Sequence, residues 1–575
     1  MLRAWTILFT KIKILSMTTK PKILMCSEAS FLSSGYSVYA REILKRLYAK
    51  NKYEIAEFAS YGMPGDPRDQ EIPWRYYPNA VNQEDPRFQE YSSSGENAFG
   101  KWRFDRVVYD FKPDIVFDIR DFWMNSYQRY SPLRPYYRWA VMPTVDSYPQ
   151  QEEWLDVYMD ADAVLSYSEW GGHVLSEQTN NLIKYCGSAS PGVDLDIFKP
   201  IEKNLARKQL GINTDARIIG TVMRNQKRKL LPDLFQSFRI LLNTYQKNNS
   251  ADGKDLYLYV HTTYPDAGWN IPALLKENEV AKRVLFTYFC KKCRGIHAHT
   301  FNHVVKYCPY CKQKSAVFPA VTDGVSSEQL SLIYNVFDIY VQYAICEGFG
   351  MPQVEAAACG IPLASVDYSA MTDIIKNLNA FSIPPDRYFK ELETEAFRCY
   401  PNNGILVKTL FEFFSMSNEE KQQKSKLTRE LTENKYTWDN AANLWESVFD
   451  SLMLQPTKKS WTGSNNAYYK KPIDYKNLSS NFNQSFNAFK HVCYNNLNEE
   501  DIYNMRNLSL LKHSDYGFII EGFTNTKPYH FEDMINFLNK NIENRNLTKY
   551  ALANPDAVKT EDFINYANDR TKNNV

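Results

Sequence analysis

The chain has 575 residues, too many for one hydrophobic core and enough for two domains of ordinary size with an appendage. Apolar residues make up 44% and charged residues 23%, with 40 Tyr and 33 Phe, a globular composition that excludes disorder throughout. Sixty-eight basic residues against 66 acidic ones leave a net charge of +2, so no global field draws the protein to nucleic acid or an anionic membrane, and such a partner must be met locally.

No stretch reaches the roughly 20 uncharged apolar residues that span a bilayer; the N-terminal run is broken by Lys11 and Lys13. Residues 1–19 read as an upstream extension with Met17 as the working start, a weak signal segment or a short amphipathic anchor peripheral to a membrane being the other readings. Four of the ten cysteines sit in two CxxC pairs and six are scattered, which points to a reducing cytoplasm rather than a disulfide framework.

In chain order, Pro21 to Cys26 is a strand-like run, Ser27 to Ser37 a Ser/Gly loop and Val38 to Leu47 a helix. Further strand-like runs follow at Tyr53 to Ala59, Asp114 to Phe117, Trp139 to Met142 and Ala163 to Ser166, an alternation that predicts a parallel α/β sheet over residues 20–190. Proline-bounded Ser190-Pro-Gly-Val-Asp-Leu-Asp-Ile-Phe-Lys-Pro200 interrupts it, so residues 191–200 form the interdomain linker. A second series, at Arg217 to Val222, Leu256 to His261, Val284 to Tyr288, Asp338 to Gln342 and Ile361 to Val366, predicts a second doubly wound sheet over 201–437. Residues 438–455 read as a long amphipathic closing helix, and 456–575 as a polar linker and accessory tail.

Glu347-Gly-Phe-Gly-Met-Pro-Gln-Val-Glu355 places two carboxylates eight positions apart around a loop-to-helix transition. Gly348 and Gly350 let backbone approach a ligand closely, and a helix opening at Met351 turns free N–H groups toward a diphosphate. Glu347 suits the hydroxyls of a sugar ring and Glu355 those of a ribose, since one carboxylate accepts two such hydrogen bonds. Upstream, Arg224-Asn-Gln-Lys-Arg-Lys229 follows a strand, and Arg224 and Lys229 can converge on one anion and neutralise a departing diphosphate, while Lys227 and Arg228 are expected to face solvent. The plainer readings stay open: carboxylates that merely serve a helix start, or cations paired on the surface with Asp233 or Glu347.

The Arg-x4-Lys pair, the Glu-x7-Glu loop with Gly-Phe-Gly inside it and the linker motif together resemble the retaining glycosyltransferases of family four, the glycosyl transferases group 1. The resemblance implies a GT-B fold, two doubly wound Rossmann-like domains facing a cleft, acting on a UDP- or GDP-sugar. By it, Arg224 and Lys229 bind the diphosphate, Glu347 the sugar and Glu355 the ribose, with Phe349 and Met351 in the donor loop. Val260-His261-Thr262 resembles a subgroup carrying His-Thr at a strand end, which adds His261 to the donor site; a satisfied core histidine is the alternative. The glycine-rich loop of the first domain is matched by Gly35, which could equally mark a turn. Asp146 occupies the place where the family often has a histidine near the sugar. The family's Gly-Gly-x-x-Glu corresponds to Ser369-Ala-Met-Thr-Asp373, with both glycines gone. Implied too are retention of anomeric configuration, no dedicated nucleophile, no catalytic metal and a hydroxyl acceptor; a glycan, a lipid-linked glycan and, with the ribbon gripping it, a modified nucleic-acid base are the acceptor classes left open.

Cys290-Lys-Lys-Cys293 and Cys308-Pro-Tyr-Cys311, 14 residues apart, have the spacing of a four-thiolate zinc ribbon, here inserted over residues 287–318. His297, His299 and His303 are alternative ligands, but four thiolates complete a tetrahedral shell, so the zinc is expected to be structural. Six Lys and Arg residues make the insert basic enough to touch an anionic acceptor or nucleic acid, a solvated surface being the plain reading. The rival function is a nucleic-acid-binding protein that uses the ribbon on an inactive GT-B scaffold.

Overall fold

Strands that are apolar on both faces need helices above and below them, and this chain builds that arrangement twice. The computed structural model describes residues 20–247, 255–320 and 323–461; the expected extension at 1–19 and the tail beyond 461 lie outside the described residues. In the first half, β1 (Lys22–Glu28), α1 (Gly35–Ala49), β2 (Glu54–Ser60), β3 (Arg75–Pro78), β4 (Ile115–Asp118), β5 (Arg138–Val141), β6 (Ala163–Ser166), α2 (Glu169–Gln178) and β7 (Tyr185–Ser188) follow one another. The strands form a seven-stranded parallel sheet in the order β3-β2-β1-β4-β5-β6-β7. The two strands the apolar runs miss, β3 and β7, are its edges. An edge strand is flanked on one side only, so Arg-Tyr-Tyr-Pro and Tyr-Cys-Gly-Ser suffice there.

The second half carries β8 (Arg217–Val222), β9 (Leu256–His261), β10 (Val284–Cys290), β11 (Ile296–Thr300), β12 (Val305–Tyr307), β13 (Lys314–Val317), β14 (Ile339–Gln342), α3 (Met351–Ala358), β15 (Leu363–Val366) and β16 (Phe381–Ile383). Strands β10-β9-β8-β14-β15-β16 are parallel. The cysteine insert is continuous with this sheet: β11 and β13 both pair antiparallel with β10, and β12 adds to β13. A hairpin of β17 (Pro385–Lys390) and β18 (Phe397–Pro401) follows, which the sequence pattern does not announce because most of its side chains are at least partly exposed.

The last described helix, α4 (Trp438–Met453), returns to the first domain. Buried Trp438, Ala441, Ala442, Trp445, Val448, Phe449 and Leu452 recur at helical spacing, and Thr437 caps the start by accepting from the Asn440 N–H. The apolar stripe lies on the first sheet: Trp445 and Phe449 pack against Phe117 with ring centroids at 5.1 and 5.0 Å, and Trp445 Nε1 donates to the Tyr39 hydroxyl at 3.0 Å. Arg46 pairs with Asp439 at 2.6 Å and Lys52 with Asp450 at 2.6 Å along the rim. Beside the helix start, the linker Val193 N–H donates to the Tyr436 carbonyl at 3.0 Å. Both connections between the domains therefore run side by side. No helix among the described residues is long and apolar enough to cross a membrane.

Trp445 is fully buried at this junction. Trp445→Ala is expected to cost about 3–5 kcal/mol, the range for emptying a buried Trp site, seen as a lower urea midpoint of the transition that reports the first domain.

Candidate functional site

Each sheet reverses its strand order once, between β1 and β4 in the first and between β8 and β14 in the second. Crevices open beyond the carboxyl ends of strands at such points. Chain order alone then fixes what reaches the cleft: Gly35 and Tyr36 after β1, Asp121 after β4, Thr144 and Asp146 after β5, Arg224 to Lys229 after β8, and Glu347 to Met351 after β14.

Glu347 is the centre of what gathers there. It is 5% exposed, and both carboxylate oxygens are occupied. Lys229 Nζ and Gln342 Nε2, the latter at 2.6 Å, donate to Oε1, and Arg228 Nη1 donates to Oε2 at 2.8 Å. The Tyr340 hydroxyl donates to Gln342 Oε1 at 2.6 Å, which turns the amide so that its NH2 faces the carboxylate. Burial alone would raise the Glu347 pKa, but the adjacent Arg228 and Lys229 charges outweigh it and hold the group near 2. Backbone bonds fix the two loops: Leu230 N–H to Tyr343 O at 3.1 Å, Ile345 N–H to Arg228 O at 3.0 Å, and Glu347 N–H to Ser369 Oγ at 2.9 Å.

Arg228 keeps the solvent exposure expected of it in part, but its pairing with Glu347 is not foreseen from the sequence. Pairing of Lys229 with Ala344 puts 228 and 229 alongside the β14 loop, and both cations turn to the same carboxylate. Nor do Arg224 and Lys229 converge as expected. Arg224 stays exposed on the rim, where Nε and Nη2 bind Asp266 at 2.8 and 3.1 Å, while Lys229 is buried.

The donor-loop residues hold distinct positions. A Cβ added at Gly348 would run into the Thr144 side chain, so the loop touches the first domain across the cleft. Gly350, with φ of 91°, starts α3 with no side-chain cap, and Met351 is half-buried in its first turn. Phe349 is buried against Tyr436. Glu355 accepts from the Tyr334 hydroxyl at 2.6 Å, and burial raises it to about 7. His261 meets Thr287 Oγ1 through Nδ1 at 2.9 Å, and burial lowers it to about 4, so the ring is neutral.

On the facing wall, exposed Gly35 opens α1 behind the Ser34 cap. Its neighbour Tyr36 donates to Asp121 Oδ2 at 2.7 Å and meets Thr144 Oγ1 at 2.8 Å. Asp146 lies across from Glu347's neighbour, its Oδ2 3.4 Å from Cys346 Sγ and its Oδ1 accepting from Arg398 Nη1 at 2.7 Å. Sequence reading missed Arg398, because only the hairpin brings it back over the cleft. Asp373 accepts the Trp170 N–H at 3.0 Å in the first turn of α2, so it ties the domains together rather than only opening its own helix.

The four cysteines also gather. Their sulfur atoms all lie within 4.8 Å of one another, with Cys290–Cys311 and Cys293–Cys308 at 3.6 Å. Sulfurs on a tetrahedron of Zn–S bonds of about 2.3 Å stand about 3.8 Å apart, whereas a disulfide requires about 2.05 Å. The donor set therefore fits one four-coordinate, thiophilic metal.

Residues 320–392, which include the Glu347 loop and α3, match the family described as Glycosyl transferases group 1. No curated protein matches the sequence. Among solved structures, sucrose-phosphate synthase from Thermosynechococcus elongatus has a TM-score of 0.54 at 14% identity, covering 76% of this chain and 100% of that one. A glycosyltransferase from Rickettsia africae ESF-5 has a TM-score of 0.52 at 14% identity, over 76% of this chain and 100% of its own. The fold is GT-B. In GT-B terms, the second domain carries the Glu347 cluster, α4 is the return helix to the first domain, and the four-cysteine insert extends the edge of the second sheet.

Because Glu347 falls from an ordinary value of 4.5 to about 2 on folding, it stabilises the protein above pH 4.5, and that contribution is lost as pH drops toward 2. Glu347→Gln should cost about 3 kcal/mol in urea unfolding at pH 7. The difference from wild type should shrink between pH 4.5 and pH 3.

Proposed function

We propose that the protein is a retaining glycosyltransferase, transferring a sugar from a UDP- or GDP-sugar to a hydroxyl acceptor. The observation that carries this reading is the ionised Glu347, enclosed with Lys229 and Arg228 at the switch point of the second sheet. The family match over the same loop supports it. The GT-B fold supports it only in so far as the site does, since one fold hosts many functions.

In this reading the donor diphosphate sits against Lys229 and Arg228 at the α3 N-terminus, and Arg224 leaves Asp266 to join them. Glu347 accepts sugar hydroxyls, and Glu355, freed from the Tyr334 hydroxyl, accepts those of the ribose. His261, Gly348, Phe349, Gly350 and Met351 shape the donor side, and Gly35 and Asp146 the facing wall. The acceptor oxygen bonds to the anomeric carbon on the face the phosphate leaves, the carbon–oxygen bond to the phosphate breaks, and the acceptor proton passes to the departing phosphate oxygen. The cations stabilise charge on that leaving group, a contribution of about 3–4 kcal/mol per well-placed donor. Contact of Gly348 with Thr144 keeps water from the anomeric carbon.

The four-thiolate cluster is assigned to a structural zinc, held by Cys290, Cys293, Cys308 and Cys311 away from the reacting atoms. Metal analysis of the purified chain should find one zinc per molecule, and Cys308→Ser should lose it.

The transfer reading is tested with the full chain and a panel of UDP-, GDP- and ADP-sugars, following nucleotide release. One donor should turn over, and Glu347→Ala should slow it about 10²–10³-fold. Failure of every donor to bind or turn over sinks this function.

A further inference from the structure

The cysteine insert contains a feature that neither sugar transfer nor the sulfur cluster uses. A cavity of about 640 Å³ opens in it, lined by His297, His299, His303, Lys306, Tyr307 and Lys314 along with smaller neighbours. No carboxylate lines it, and neither lysine forms an ion pair among the described residues. Lys306 Nζ instead sits 4.8 Å from the Tyr288 ring centroid and 3.5 Å from the Thr300 carbonyl. The wall thus carries two cationic side chains that no carboxylate pairs with.

His297 contributes an imidazole to the wall. It is 7% exposed, its ring stacks on Tyr288 at 5.7 Å, and its buried Nδ1 has no hydrogen-bond partner among the described residues. That nitrogen is closed off from the cavity by the surrounding packing, so the ring can offer only Nε2 to a bound group. The three imidazoles are not a metal site, since the four cysteines form the metal-sized cluster among the described residues. Exposed Val304, Val305 and Tyr307 give the mouth an apolar lip.

We propose that this cavity binds a phosphate group. Lys306 and Lys314 neutralise its charge, His297 and His303 supply directional N–H donors, and the lip takes the apolar part of a phosphate ester. The site is separate from the donor cleft, so it goes beyond the transfer reading and stands or falls independently of it. Two sources share this chemistry, a soluble phosphate ester and a lipid phosphate headgroup.

The test is equilibrium dialysis of the full, metal-loaded chain against radiolabelled inorganic phosphate. Saturable binding is expected, weakened about tenfold by Lys306→Met and by Lys314→Met, each removing one charge-assisted hydrogen bond. Saturable binding that Lys306→Met weakens should persist in Arg224→Ala, whatever phosphate the donor cleft itself takes up, and metal content in both lysine variants should match wild type. Flotation on phosphatidic acid vesicles but not phosphatidylcholine, lost in Lys306→Met, identifies the lipid source; phosphate binding without flotation identifies the soluble one. Absence of saturable binding, or binding sensitive to Arg224→Ala and indifferent to Lys306→Met, overturns the proposal.

Discussion

A carboxylate cannot be taken out of water at the junction of two loops unless its charge is matched there, and in this protein the burial of Glu347 sets the terms for everything around it. Two cations from the loop after β8 and one amide from the end of β14 close on it. These groups come from two strands that are neighbours only because the sheet reverses direction between them. The cluster therefore stitches the switch point shut chemically while the sheet leaves it open sterically. Ser369 holds the backbone of Glu347 and Tyr340 orients Gln342, so the carboxylate is fixed in position as well as in charge.

Neutrality within the cluster bears on how an anion is received. Lys229 and Arg228 are already satisfied by Glu347, and Arg224 by Asp266, so none of these three cations waits unpaired. A diphosphate bound here, as proposed, exchanges partners with these carboxylates rather than filling a void in charge. Arg224 is the freest to do so: it is exposed, and an exposed ion pair is worth little, at most about 1 kcal/mol. Lys229 is buried, and moving it would strand Glu347. The division expected is that Lys229 stays and Arg224 swings.

The sequence made the framework legible because the physics that forms it is local. Runs such as Ala163 to Ser166 and Leu256 to His261 are apolar enough to be strands wherever they fall, and the prolines at 191 and 200 bracket the linker. CxxC spacing foretold the sulfur cluster for the same reason, since each pair lies on one tight turn. What stayed hidden was set by register and by distant segments. Lys227, Arg228 and Lys229 look alike in a string, and only the pairing of Lys229 with Ala344 decides that 229 is buried and 228, still partly exposed, reaches Glu347 while 227 stays exposed. Arg398 lies 252 positions from Asp146, on a hairpin whose exposed faces show no apolar pattern. The edge strands β3 and β7 escaped because a single neighbour asks little of their composition.

The insert illustrates how a local motif gains a wider consequence from where it is grafted. It grows out of β10, the next strand along from β9, and it is held by more than sulfur. Phe301, just after β11, and Phe318, just after β13, both pack on Tyr264 with centroids at 5.8 Å, and both also lean on Phe286 of β10. Tyr264 belongs to the loop that presents Asp266 to Arg224. An aromatic cluster thus joins the four-cysteine unit to the loop whose Asp266 pairs with the exposed Arg224. Packed interiors contain little slack, and this cluster seats the insert directly against the loop that carries Asp266.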